Sequence, residues 1–287
     1  MNSSLSVSVP SAFNLVTDAH THHLGIGAFN VVLLEHAEAI VSGAERAGLP
    51  VILQISQNAA KYHGSLEPIA VASLAIARAA SVPTIVHLDH AEDVALVYSA
   101  VALGVQSVMF DGSALPYDEN VATTRAVVDF CHGFGVFVEA ELGEVGGKDG
   151  VHAQGARTQP EEAVAFGAAT GVDALAVAVG TSHAMTSRVA TVDRSLISHL
   201  AETVPVPLVL HGSSGLSDEE LIASVRAGMT KINISTHLNG LFSAAVRETL
   251  AADDQLVDPR RYIMPAREAM AVEVERLLQL LALRSRP

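Results

Sequence analysis

Tryptophan is absent from the 287 residues, cysteine occurs once, and phenylalanine and tyrosine number 8 and 4. A core built from this chain must therefore pack Val, Ile, Leu and Ala rather than stacked rings. The lone Cys131 excludes an internal disulfide, and its place in an apolar helical pattern reads as a buried, inert thiol. No apolar run approaches the ~20 residues needed to cross a bilayer. The N-terminus shows no cationic region followed by an apolar stretch, so a cytoplasmic protein is expected. Positive charge is also scarce: 17 Lys and Arg face 31 Asp and Glu, a formal net charge of −14. Such a surface repels nucleic acid and anionic membranes, and neither is expected as a partner. A phosphorylated ligand would have to be held locally, by amide nests, helix N-termini and a few cations.

What the chain does have is a repeated alternation. Apolar runs that read as strands lie at 25–31, 51–56, 84–89, 106–111, 136–141, 174–179, 208–211 and 231–235. Each is followed by a stretch of helical spacing: 33–47, 66–80, 91–103, 117–132, 160–170, 193–202, 217–227 and 238–250. Strands apolar on both faces imply a parallel sheet covered by helices, and eight such units close into an α/β fold of the (β/α)₈ TIM-barrel type. One domain over 1–287 is expected, with a loosely held leader over 1–12 and an extra C-terminal helix over 266–284 whose two apolar faces suit an oligomer contact. Residues 10–23 have two readings. They form a helix or loop plugging the bottom of the barrel, or Phe13–Val16 is the first strand of a metal-dependent hydrolase of the amidohydrolase type, whose His-x-His spacing is matched by His20 and His22.

In such a barrel the active site lies at the C-terminal ends of the strands, so polar residues that end apolar runs are candidates. Asn30, Ser56, Asp89 and His90, Asp111, Glu139 and Glu141, His183, His211, and Asn233, Ser235 and Thr236 occupy these positions along the eight units. Each buried one needs a partner, which a barrel selected for stability alone has no reason to provide. His90, His183 and His211, far apart in sequence but on one rim, fit a three-histidine Zn²⁺ site with open positions. Strand alternation turns His87 away from His90's side. His211-Gly-Ser-Ser-Gly215 and Asn233-Ile-Ser-Thr236 each open a helix in the loops that commonly cradle phosphate in barrels. The Gly-rich stretch 143–158 reads as a lid.

These segments resemble the class II, metal-dependent ketose-bisphosphate aldolases of the fructose- and tagatose-bisphosphate type. The likeness is carried by His87-Leu-Asp-His90, Ser107-Val-Met-Phe-Asp-Gly-Ser113, Val138-Glu-Ala-Glu-Leu-Gly143 and Gly180-Thr-Ser-His183. Leu210-His-Gly-Ser-Ser-Gly215, Lys231-Ile-Asn-Ile-Ser-Thr236 and Asp258-Pro-Arg-Arg-Tyr262 extend it. The resemblance implies that His90, His183 and His211 ligate Zn²⁺ and that Asp89 carries a proton to and from the aldehyde-derived oxygen. It implies that Gly180, Gly212, Ser214, Asn233, Ser235 and Thr236 hold the dihydroxyacetone phosphate half, helped by Asn30 and Ser56, with a monovalent cation (Na⁺ or K⁺) near the phosphate. It matches Arg260 to an arginine used on the far phosphate, often across a dimer interface, and implies a homodimer or homotetramer acting on a small sugar bisphosphate.

The chain departs from the family pattern in the lid, where Lys148-Asp149-Gly150 stands in place of the usual glutamates. Asp149 is the candidate lid base, with Glu144 behind it. Ala184 follows His183 where glycine is usual, and Ser235 replaces the acid, amide or alanine common at that point. Competing expectations are an aldolase for a phosphorylated deoxyketonate, a non-catalytic sugar-phosphate binder, and the hydrolase using His20 and His22.

Overall fold

The structure, a computed structural model, describes residues 11–142, 157–182 and 185–284. It opens with helix α1 (Ala12–Thr21), then β1 (Ile26–Asn30), α2 (Leu34–Ala47), β2 (Val51–Ser56), α3 (Gln57–Tyr62) and α4 (Glu67–Ala79). There follow β3 (Thr84–Ala91), α5 (Val94–Leu103), β4 (Ser107–Phe110), α6 (Tyr117–His132), β5 (Phe137–Glu141) and α7 (Pro160–Thr170). Next come β6 (Ala174–Ala176), α8 (Arg194–Thr203), β7 (Leu208–Leu210), α9 (Asp218–Ala227), β8 (Met229–Ile234), α10 (Thr236–Ala252) and α11 (Pro259–Leu281). The strands pair in parallel in sequence order, and β8 returns to β1 with Ile26 opposite Lys231, closing the barrel.

Strand alternation divides the apolar residues into two layers. Phe29, Leu53, Val86, Val108, Val138, Leu175 and their like pack outward against the helices. The inward set at the N-terminal end includes Ala28, Ile52, Ile85, Met109, Phe137, Ala174 and Val209. Leu15 and Val16 of α1 join this inner set, so residues 12–21 are a helix capping the barrel's lower end and Phe13–Val16 is not a strand. Among the described residues, His20 and His22 enter no cluster able to hold a metal; His20 Nδ1 lies 3.2 Å from Thr230 Oγ1 and His22 Nδ1 lies 2.8 Å from the Asp18 carbonyl. Cys131 is buried, and that burial pushes its thiol up to about 12, so it stays protonated and inert.

Two elements differ from the sequence expectation. Helix α3 is additional: the Ser56 hydroxyl accepts from Ala59 N at 3.1 Å, so one serine both ends β2 and caps a short helix. The last helix begins at Pro259 rather than 266. Asp258 caps it by accepting from Arg260 N at 3.0 Å, Pro259 suits a first turn that needs no N–H, and Pro265 is absorbed within the helix. Helix α11 packs on α2 closely enough that a Cβ on Gly43 would lie 2.5 Å from the Ala271 carbonyl, which only glycine permits. It also carries Glu273, which bonds Arg276 and His237. Burial opposes ionisation of Glu273, but those hydrogen bonds outweigh it and pull the carboxyl down to about 2.

Leu15→Ala is expected to cost about 2–5 kcal/mol in denaturant unfolding, with turnover at 25 °C unchanged because α1 lies at the far end from the rim. Because the folded Glu273 titrates below its ordinary 4.5, its contribution is complete above that value and is lost as pH falls through about 2. Glu273→Gln should therefore be less stable than wild type at pH 7, with the gap closing between pH 4.5 and 2 in urea titrations.

Candidate active site

The site is built where β3 breaks its own alternation. His87 and Asp89 lie two residues apart and share the inward face; His90 would point outward. Instead His90 takes φ 49°, and the β3–β4 register shifts between Leu88 and Ala91. His90 is thereby swung to the rim, where its ring meets that of His211 at 4.6 Å between centroids. His87 is therefore not on the opposite side from the site: its Nε2 lies 3.9 Å from Glu139 Oε2, inside the barrel. Burial, with Lys231 nearby, holds His87 far below its ordinary range and hence neutral.

Each histidine at the rim is oriented by a carboxylate. His90 Nδ1 sits 2.7 Å from Asp111 Oδ2, while Asp111 Oδ1 accepts from the Ser113 hydroxyl at 2.6 Å and is locked in place. His211 Nε2 sits 3.0 Å from Glu139 Oε1, and its Nδ1 lies 3.5 Å from Glu141 Oε2. Glu139 is balanced by the Lys231 ammonium at 2.8 Å, which also donates to Asn233 Oδ1 at 2.9 Å. Burial opposes charge on His90, but Asp89, the Asp111 hydrogen bond and Glu141 overcome it and raise its pKa to about 9.

One ligand atom each of Asp89, His90 and His211 lies within 4.8 Å of the others, and the same holds for His90, Asp111 and Glu141. Asp89, Asp111, Glu139 and Glu141 are all buried, and Lys231 is the one buried Lys or Arg among the described residues. Such an excess of buried negative charge calls for a cation. Imidazole nitrogens suit Zn²⁺ rather than Mg²⁺ or Ca²⁺, which take oxygen ligands. The residues present thus fit a zinc ion.

The cleft beside this cluster has a volume of about 170 Å³. Asn30 and Ser56 form one wall with Asp89 and His90; Gly212, Ser214, Asn233, Ser235 and Thr236 form the other. Gln54, which is not among the strand-tip candidates, joins them by donating to Asn30 Oδ1 at 2.5 Å, and Asn30 Nδ2 in turn faces Asp89 Oδ2 at 3.5 Å. Its signal was its place two residues before Ser56 on the same strand face. Gly212 is required at its position: φ is 68° and a Cβ would meet the Ser182 carbonyl oxygen at 2.6 Å. That close approach packs the Ser182 backbone against Gly212.

His183, Ala184, Asp149 and Glu144 lie outside the described residues. Gly180, at φ 117°, packs near the Thr191 carbonyl rather than lining the cleft. Arg260 stands on the surface at the start of α11, paired with Asp258 at 2.8 Å. A roomier cavity of about 330 Å³ lies at the opposite end, walled by Leu15, Ile26, Leu49 and Leu278. It is mostly apolar, and the Asp18 and His22 that line it enter no cluster able to hold a metal among the described residues, so chemistry rather than size locates the site.

Histidines and carboxylates gathered beside a rim of small hydroxyl-bearing residues at the C-terminal face of a (β/α)₈ barrel define an enzyme-type site suited to a small polar substrate. The chain belongs to the family described as fructose-bisphosphate aldolase class-II, whose model matches residues 11–286. It is accordingly an aldolase, a carbon–carbon lyase, in a family that is generally zinc-dependent. Among solved structures it is similar to the YdjI aldolase of Escherichia coli K12, with 30% identity over 95% of this chain and 96% of that one and a TM-score of 0.81. A Coccidioides immitis protein, solved under a provisional assignment as a fructose-1,6-bisphosphate aldolase, is 31% identical over 94% of this chain and 95% of its own, with a TM-score of 0.84. A Campylobacter jejuni fructose-bisphosphate aldolase, 23% identical over 95% of each chain, shares the fold with a TM-score of 0.78.

Lys231→Met leaves the Glu139 carboxylate buried against imidazoles alone and is expected to cost about 3–5 kcal/mol in equilibrium unfolding. Adding Glu139→Gln to it should recover part of that loss; a double variant less stable than Lys231→Met would contradict the pairing.

Proposed function

We propose that the protein is a Zn²⁺-dependent aldolase that reversibly cleaves a ketose 1,6-bisphosphate, fructose or tagatose bisphosphate, into dihydroxyacetone phosphate and glyceraldehyde 3-phosphate. The observation that carries this reading is the adjacency of Asp89 to His90, with a ligand atom of each near one of His211, on a cleft whose far wall is Ser214, Ser235 and Thr236. His90 and His211, with His183, would hold the ion. When bound, it supplies Lewis-acid stabilisation of the negative charge that develops on the ketone side as the C3–C4 bond breaks.

The chain's own groups do the rest. Asp89 is buried, and its Oδ1 makes no hydrogen bond to the described residues, so that oxygen is available to take the proton of the C4 hydroxyl. The Gln54–Asn30 pair fixes the orientation of the other oxygen. On the far wall, Ser214 Oγ accepts from Ser235 N and His237 N at 3.2 Å each, which leaves its own proton to donate toward a phosphate oxygen. Ser56, whose oxygen accepts from Ala59 N, can likewise donate to the aldehyde half. Asp149, with Glu144 behind it, is the proposed base that removes the C1 proton of dihydroxyacetone phosphate in condensation. Arg260 is proposed to reach the far phosphate of a partner subunit's substrate in a homodimer or homotetramer, and a monovalent cation is proposed beside the near phosphate.

Assays with fructose and tagatose bisphosphates, with and without chelator, test the reading. Dialysis against chelator should abolish cleavage and added Zn²⁺ should restore it; cleavage that persists in fully metal-free protein would sink the mechanism. Asp89→Asn should lower kcat by about 10²–10⁴-fold while Zn²⁺ content stays at the wild-type level.

A further inference from the structure

Behind the phosphate-type wall runs a chain of polar side chains that touch no ligand. The His237 backbone donates to Ser214, but its ring faces the other way: Nε2 lies 2.6 Å from Glu273 Oε1 on α11. Arg276 grips Glu273 with two bonds, Nε to Oε2 at 2.8 Å and Nη2 to Oε1 at 2.7 Å. The same guanidinium reaches Asp218 in the first turn of α9. Asp218 Oδ1 also accepts from Arg188 Nη2 at 2.8 Å, and Arg188 Nε donates to the Leu216 carbonyl at 2.6 Å. Arg188 follows His183 on the loop after β6. One continuous set of charge-assisted bonds therefore joins the loops after β6, β7 and β8 to α11.

These groups are shielded enough to matter. Side-chain exposure runs from 15% for Glu273 to 31% for Asp218, with His237, Arg276 and Arg188 at 20%, 24% and 30%. At that depth charge-assisted bonds hold geometry better than exposed pairs do. The position of the His237 amide decides where Ser214 Oγ sits, because that oxygen is held by two amides and has only its proton left to aim. The His237 ring, Glu273 and Arg276 fix the first turn of α10, while Asp218 and Arg188 tie down the segment beyond His183. A planar fork able to serve two carboxylates on two helices is what this junction requires, and lysine could not supply it.

We propose that Glu273 and Arg276, acting through His237, are positioning residues for the phosphate subsite, setting the Ser214 hydroxyl and the first turn of α10 in the geometry that receives the phosphate. The inference rests on the reading of Ser214, Ser235 and Thr236 as that subsite. It goes beyond it by assigning the subsite's affinity to helix α11, outside the barrel rim.

The test compares wild type, His237→Ala, His237→Gln and Arg276→Met, each loaded with Zn²⁺. It measures affinity for dihydroxyacetone phosphate and inorganic phosphate by calorimetry, together with KM, kcat, metal content and Tm. His237→Ala leaves the Glu273–Arg276–Asp218 bonds intact. It should weaken both phosphate ligands and raise KM by about 3–10-fold, with kcat, metal content and Tm near wild type. His237→Gln, whose amide can still donate to Glu273, should recover most of that affinity. Arg276→Met should give a larger loss, about 10–30-fold; if it fails to fold, the His237 pair carries the test alone. Phosphate affinity and KM unchanged in His237→Ala would overturn the inference, and so would a loss of kcat or metal with KM untouched. Wild type that binds neither phosphate ligand would overturn the subsite reading itself, an outcome distinct from wild-type binding that the variants retain.

Discussion

The barrel interior turns on one buried carboxylate. Glu139, at the middle of β5, lies against His211 from β7, Lys231 from β8 and His87 from β3, and is fully shielded from solvent. Desolvating an ion pair this deep is expensive, and an apolar pair of equal volume would serve stability as well or better. What the pair provides is direction. With Glu139 held 2.8 Å from Lys231 Nζ, one ring nitrogen of His211 is committed inward and the other lies toward Glu141 at the rim. Lys231 extends the same constraint to Asn233, so the floor of the cleft and a metal-type histidine are oriented by one electrostatic balance.

The second constraint is the break in β3. A regular strand would place Asp89 inside and His90 outside, separating the proposed proton carrier from a candidate ligand. A non-glycine residue at positive φ costs roughly 1–2 kcal/mol, and here the Asp111 contact at 2.7 Å and the resumed backbone bond from Asp111 N to the Ala91 carbonyl at 2.8 Å offset that cost. Strain stored at a rim position and compensated by neighbours is a frequent companion of function. In this barrel it lets two adjacent residues serve one cleft.

The architecture was legible because its signal is periodic. Both-face apolar strands and 3.6-residue helices repeat eight times, and the strand tips that end in Asn30, Ser56, Asp89 and His90 do converge on one cleft. Three features escaped for separable reasons. Alternation turns His87 away from His90's side only if β3 is regular, and the bulge that breaks it is not announced by the sequence. Gln54 and Lys231 lie two residues before the strand tips, where a polar side chain carries no end-of-strand signal. The informative pattern was the polar pair two residues apart on one face: Gln54 with Ser56, His87 with Asp89, Glu139 with Glu141, Lys231 with Asn233. In each pair the lower residue supports and the upper one faces the cleft or rim. The early start of α11 was hidden because Pro259 and Pro265 read as breakers, whereas the Asp258 cap makes the first an initiator.

A chain of net charge −14 for which a doubly phosphorylated sugar is the proposed substrate poses an apparent contradiction, and local structure resolves it. At physiological ionic strength the field of distant surface carboxylates decays over ~8 Å, so what an anion meets at the cleft is set by its immediate walls. The proposed phosphate wall is made of Ser214, Ser235 and Thr236 at the head of α10, where oriented amides and small hydroxyls act without any net charge. Neutral donors of this kind bind only if their geometry is held, since they lack the long reach of an arginine. The arginines are spent one layer back: Arg276 and Arg188 neutralise Glu273 and Asp218 and so stiffen the frame from which the neutral donors project. Keeping these two arginines behind the wall also keeps them from pairing with Asp89, whose Oδ1 the proposed proton transfer requires.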